Sequence, residues 1–273
     1  MPRSTAGPAA MMEAVGETLP LSRRNQAAVL GALAAVSVLA WIYLLYDAAR
    51  MRGMAMGDPG MVMAMKPWTM IDLVFLFVMW AVMMVAMMLP SAAAAILTYG
   101  AIVRRISPQQ PAARSIAMFV LGYLLTWTAF SLAATVLQWG LNHLALLSPM
   151  MVVSSPFLGG ALLIAAGLYQ FSEVKDVCLK HCQTPLIYLA QNWSQGAIGA
   201  LRMGLSHGLY CVGCCWAVMG LLFVGGVMNL LWIAAIAIFV LLEKLAPFGG
   251  RIGRAFSGTV AIAAGLAMIV TAG

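Results

Sequence analysis

His207, Cys211 and Cys214 recur at i, i+4 and i+7 within Ser206-His-Gly-Leu-Tyr-Cys-Val-Gly-Cys-Cys-Trp216. At about 100° per residue, a helix through this stretch puts one imidazole and two thiols within roughly 60° of arc, with Cys215 on the flank. Imidazole and thiol are donors for a small soft metal ion, and several could touch one ion from a single helical face. The stretch runs straight into an apolar span, where ionisable groups are costly and point to function. A free cysteine is also a serviceable small apolar residue, so packing alone is the competing explanation.

All five cysteines fall between Cys178 and Cys215. Cys178 and Cys182 are i, i+4 and share a face if their segment is helical, whereas His181 is turned about 60° away from Cys178. Two thiols from this segment and two from the next could complete a four-ligand site, provided the segments meet. Thiols on the cytoplasmic side stay reduced, which favours ligands or transient redox groups over structural disulfides. His181 and His143 read as solvated histidines near membrane ends.

Methionine gives the second signal, with 22 in the chain and 12 of them from Met51 to Met88. Met54, Met56, Met61, Met63 and Met65 are separated by small, flexible residues in a segment expected outside the membrane. Thioethers suit Cu(I), while zinc prefers thiolate, imidazole and carboxylate. A soft-ion capture loop and an interfacial loop dipping methionines into lipid both fit. Met79, Met83 and Met87 continue at i, i+4, i+8 on the next span. That stripe reads as packing between helices, with a ladder of sulfur ligands as the alternative. Pro90 removes a backbone donor and predicts a kink or helix end there.

The elements that must carry these residues are transmembrane helices. The chain has 63% apolar and only 8% charged residues, which describes an all-α, polytopic bundle in a lipid bilayer and excludes a nucleic-acid binder despite the +7 net charge. About seven spans are expected, near 27–46, 71–89, 116–138, 156–171, 207–226, 229–246 and 255–272. With a cytoplasmic N-terminus, twelve Lys and Arg residues lie inside and only Arg50, Arg52 and Lys66 outside. Residues 1–26 read as a mobile cytoplasmic tail, and 27–273 as one transmembrane domain. That domain has a Met-rich outer loop at 47–70 and a Cys-containing inner loop at 172–206, too short for a core of its own. Gly225, Gly226 and Asn229 predict a tight hairpin capped by Asn229. Glu243 and Lys244 read as solvated or paired at a span end, with Glu243 facing the bundle as the alternative.

Several of these motifs carry a resemblance. Met84-Val-Ala-Met-Met-Leu-Pro90, Gly167-Leu-Tyr-Gln170, Cys178-Leu-Lys-His-Cys182 and Gly204-Leu-Ser-His-Gly-Leu-Tyr-Cys-Val-Gly-Cys-Cys-Trp216 resemble a bacterial family of predicted metal-binding integral membrane proteins. The last motif continues through Gly225-Gly-Val-Met-Asn229 to Glu243-Lys244, and the likeness covers roughly residues 70 to 246. It departs from that family at Ser172-Glu-Val-Lys175. The resemblance implies a bacterial inner (plasma) membrane location and metal binding on Cys178, Cys182, His207, Cys211, Cys214 and Cys215.

The sequence has no phosphate-cradling loop and no nucleophile triad in a plausible context, so an enzyme is the less favoured reading. The leading expectation is copper handling or transport, with Cu(I) met at the outer Met loop and held at the inner Cys/His cluster. Zinc or another soft metal is the alternative ion, and a periplasmic or membrane metalloprotein is a fitting recipient. A thiol-disulfide carrier using Cys211 and Cys214 is the second reading. A non-catalytic accessory subunit packing through Gly204, Gly208 and Gly220 is the third.

Overall fold

The computed structural model describes residues 22–57, 69–106, 111–148, 151–245 and 250–272, and these are helical with no strand among them. The helices are α1 (Arg23–Gly57), α2 (Met70–Met88), α3 (Ala93–Ile106), α4 (Ala112–His143), α5 (Pro156–Gln170) and α6 (Glu173–Gln183). They continue as α7 (Pro185–Gln191), α8 (Gly196–Gly220), α9 (Leu222–Gly225), α10 (Leu230–Leu245) and α11 (Arg251–Val270). Of the expected tail, residues 1–21 lie outside the described residues, and Arg23 to Gln26 already belong to α1.

Among the described residues, five stretches are long and apolar enough to cross a membrane: Arg23–Arg50, Met70–Met88, Ala112–His143, Gly196–Gly225 and Arg251–Val270. A sixth exists if α5 and α6, bent by 65° at their junction, form one broken span. The expected sixth span, near 229–246, coincides with α10, of which 16 residues are described. The spans also shift in register. α1 continues to Gly57, so the first part of the expected outer loop is helix. α8 begins eleven residues before the expected start at His207, since its first turns, rich in Gly and Ala, do not read as a lipid-facing run.

Local chemistry sets several boundaries. Thr69 and Asp72 cap α2 reciprocally, with the Thr69 amide donating to Asp72 at 2.8 Å and the Asp72 amide to Thr69 Oγ1 at 3.3 Å. Pro90 ends α2, and a short 3₁₀ turn, Pro90–Ala92, leads into α3. Ser172 accepts from the Lys175 amide and starts α6. Gly226, with φ of 97°, makes the turn into α10, whose first turn Asn229 caps through the Trp232 amide.

α4 and α8 form the closest contact of the bundle. A Cβ at Gly204 would fall on the Phe119 carbonyl, and one at Gly122 on the Leu201 carbonyl, so both positions need glycine for the backbones to touch. The buried core lies between α2, α4, α8 and α10 and includes Trp80, Met83, Met84, Met88, Tyr123 and Trp127. Outward faces carry large exposed apolar residues such as Leu39, Phe75, Val136, Leu168 and Leu209, which suits helices facing hydrocarbon.

Candidate metal centre

The segment 172–206, expected as a loop, is α6, α7 and the first turns of α8. After the bend at Phe171, α6 folds back along α8 and delivers Cys182 to the bundle. Cys182 Sγ lies 4.0 Å from Cys214 Sγ, across 32 residues of sequence. Cys211, one turn earlier on α8, borders both. Cys211, Cys214 and Cys215 therefore sit in the second half of α8 and are buried inside the bundle.

Cys211 is the best-coordinated of the five cysteines. Lys244 Nζ donates to its sulfur at 2.9 Å, and the Tyr123 hydroxyl lies 3.1 Å from it. Lys244 also donates to Ser91 Oγ at 2.9 Å. Ser91 and Tyr123 in turn donate to the Met88 carbonyl, at 2.8 and 3.0 Å. That carbonyl is available because the helix breaks at Pro90, leaving end groups that seek other donors. Cys214 and Cys215 both donate their thiols to the Cys211 carbonyl, at 3.1 and 2.9 Å.

The remaining expected ligands are distributed around this centre. Cys178 rests against Gly213, where a Cβ would come within 2.7 Å of its sulfur. His207 is buried among the rings of Phe119, Tyr123 and Tyr188, and its Nδ1 has no hydrogen-bond partner among the described residues. His181 stacks on Tyr210 at 4.1 Å and His143 on Trp139. No three His, Cys, Asp or Glu side chains converge as a ready-made metal site among the described residues. Among the described residues the fold brings Cys182 within 4.0 Å of Cys214, with Cys211 bordering both.

Met79, Met83 and Met87 are buried in the core of the bundle. Met54 and Met56 fall on the last turns of α1, and Met61, Met63 and Met65 lie outside the described residues.

Sequence reasoning gave no role to Tyr123, Ser91 or Lys175, and read Lys244 as solvated or paired at a span end. Glu243 faces inward and pairs with Lys175 at 2.9 Å, both side chains being essentially buried. Gln183 donates to the Glu243 carbonyl at 2.9 Å, a second tie between α6 and α10. Two charges closing an apolar run were the available signal, but nothing local tells a solvated pair from a buried one.

A family model described as PpoB2, copper chaperone, matches residues 77–268, more than two thirds of the chain. The chain belongs to the PpoB2 copper chaperone family. No curated protein and no solved structure matches it. The PpoB2 match includes all five cysteines, His207 and Lys244, and begins after the Met-rich segment. Thiol donors suit the ion in the family's description, because soft thiolates select Cu(I). With metal–sulfur bonds of about 2.3 Å, sulfurs 4.0 Å apart would subtend roughly 120° at a shared ion, so one soft ion could touch both.

Proposed function

We propose that this chain is a copper-handling protein of the bacterial inner membrane that carries Cu(I) as cargo on thiols within its helical bundle. The observation that carries the reading is the approach of Cys182 to Cys214 from two separate helices, at a distance that one Cu(I) can bridge. Cys211 borders the pair and is the third thiol within reach, and Cys178, Cys215 and His207 lie nearby as further donors. The Met-rich outer segment, Met54 to Met65, supplies thioethers for capture, and the thiols accept the ion from it. In this reading the N-terminus is cytoplasmic, α10 completes a set of seven spans by crossing with its flanking residues, and a metalloprotein receives the copper. The basic residues concentrated on one side of the expected topology support that orientation.

The test is metal analysis of the full chain, purified in detergent under reducing conditions and supplied with Cu(I). The parent and a Cys178→Ser variant should retain copper, while a Cys182→Ser, Cys214→Ser double variant should lose most of it. Equal copper in the double variant and the parent would overturn the assignment.

A second reading, thiol-disulfide exchange, is favoured by the same 4.0 Å contact, but with Cys182 as the partner of Cys214 instead of Cys211. Cys211 is already engaged by Lys244 and Tyr123. A Cys182 to Cys214 disulfide that cycles in growing cells, in protein free of copper, would establish it.

A further inference from the structure

Lys244 has no role yet in the copper reading, although it is buried beside the thiols. Its side chain is fixed from three helices: its Nζ lies 2.9 Å from Ser91 Oγ, which follows α2, and 2.9 Å from Cys211 Sγ on α8. Tyr123 of α4 closes the ring through the Met88 carbonyl and Cys211. An ammonium in such an interior costs several kcal/mol unless negative charge faces it. The carboxylate next to it in sequence does not serve, because Glu243 points to Lys175 at 2.9 Å. What Lys244 faces is sulfur.

Charge counting gives this placement a consequence. Two thiolates and a monovalent ion sum to −1, which one ammonium brings to zero; with a divalent ion the same groups sum to +1. Uncompensated charge is far more costly in a buried, apolar site than in water.

We propose that Lys244 is the built-in counter-cation of the thiol group and sets its preference for a monovalent over a divalent soft ion. The inference rests on the copper reading above, with two of Cys182, Cys211 and Cys214 acting as thiolates when an ion is held and the third remaining protonated. Lys244 is a positioning residue: it does not ligate the ion but fixes the charge that the loaded site must match.

The experiment loads the full-length protein in detergent, under reductant, with buffered mixtures of Cu(I) and Zn(II), and reads both metals by mass spectrometry. The parent should favour Cu(I). Lys244→Met should move the ratio toward zinc by at least about tenfold, the scale of a single buried charge, and Lys244→Arg should restore it. Ser91→Ala, which keeps the charge but loses its anchor, should shift the ratio the same way by about threefold and serves if Lys244→Met does not fold. The parental ratio in Lys244→Met, or in Ser91→Ala when it is the variant that folds, overturns this inference and leaves the copper reading standing. A parent that takes up no Cu(I) overturns the copper reading itself, and this inference with it.

Discussion

The Lys175 and Glu243 pair offers a sharp test of how the site is held, because it joins the helix that carries Cys182 to the last helix of the core. Lys175 is fully buried and the Glu243 side chain is 5% exposed, with 2.9 Å between Nζ and Oε2. Removing one partner of such a pair strands the other charge and costs about 3–5 kcal/mol. Glu243→Gln keeps the size of the side chain and leaves the Lys175 ammonium facing an amide. At roughly 2–4 °C per kcal/mol for a chain near this size, its thermal midpoint should fall by roughly 6–20 °C. Lys175→Met with Glu243→Leu removes both charges, and also the unpartnered Oε1 of Glu243, so it should unfold close to the parent. The assay is thermal unfolding in one detergent, followed by tryptophan fluorescence, for the parent, the single and the double variant. A single variant as stable as the parent would refute the argument, since it would mean that the pair is solvated. A double variant as unstable as the single one would show that side-chain shape, not charge, holds α6 against α10.

Two further outcomes follow from the same geometry. Mild oxidation with diamide, which adds no metal, should join Cys182 to Cys214, since their sulfurs need to close from 4.0 Å to the roughly 2.05 Å of a disulfide; peptide mapping that finds Cys211 joined to Cys214 as the main product would contradict the packing of α6 on α8. Gly204→Ala should destabilise the bundle by about 1–3 kcal/mol, because its methyl group meets the Phe119 carbonyl. Gly31→Ala, with nothing within 4 Å, should instead gain about 0.5–1 kcal/mol from helix propensity, and thermal midpoints of opposite shift would check both.

Composition and local pattern by themselves determined that the chain is built of apolar helices, that α2 stops at Pro90, that Asn229 caps a tight turn, and that His207, Cys211 and Cys214 share one helical stripe. These follow from burial, backbone donors and the 3.6-residue period, which act over a few residues. The start of α8 was not legible, because its Gly- and Ala-rich first turns pack on α4 through backbone contact and show no lipid-facing stripe. Which thiols meet was decided only by the tertiary structure. The 65° bend after α5 folds α6 onto α8, and that fixes Cys182 against Cys214 while leaving His207 among aromatic rings. The same holds for Lys244 and Glu243, adjacent in sequence yet pointing to different partners, Cys211 and Lys175. A charge at the end of an apolar run looks the same in sequence whether it meets water or a buried counter-charge. Its meaning depends on residues 33 and 68 positions away, and only packing brings those within reach.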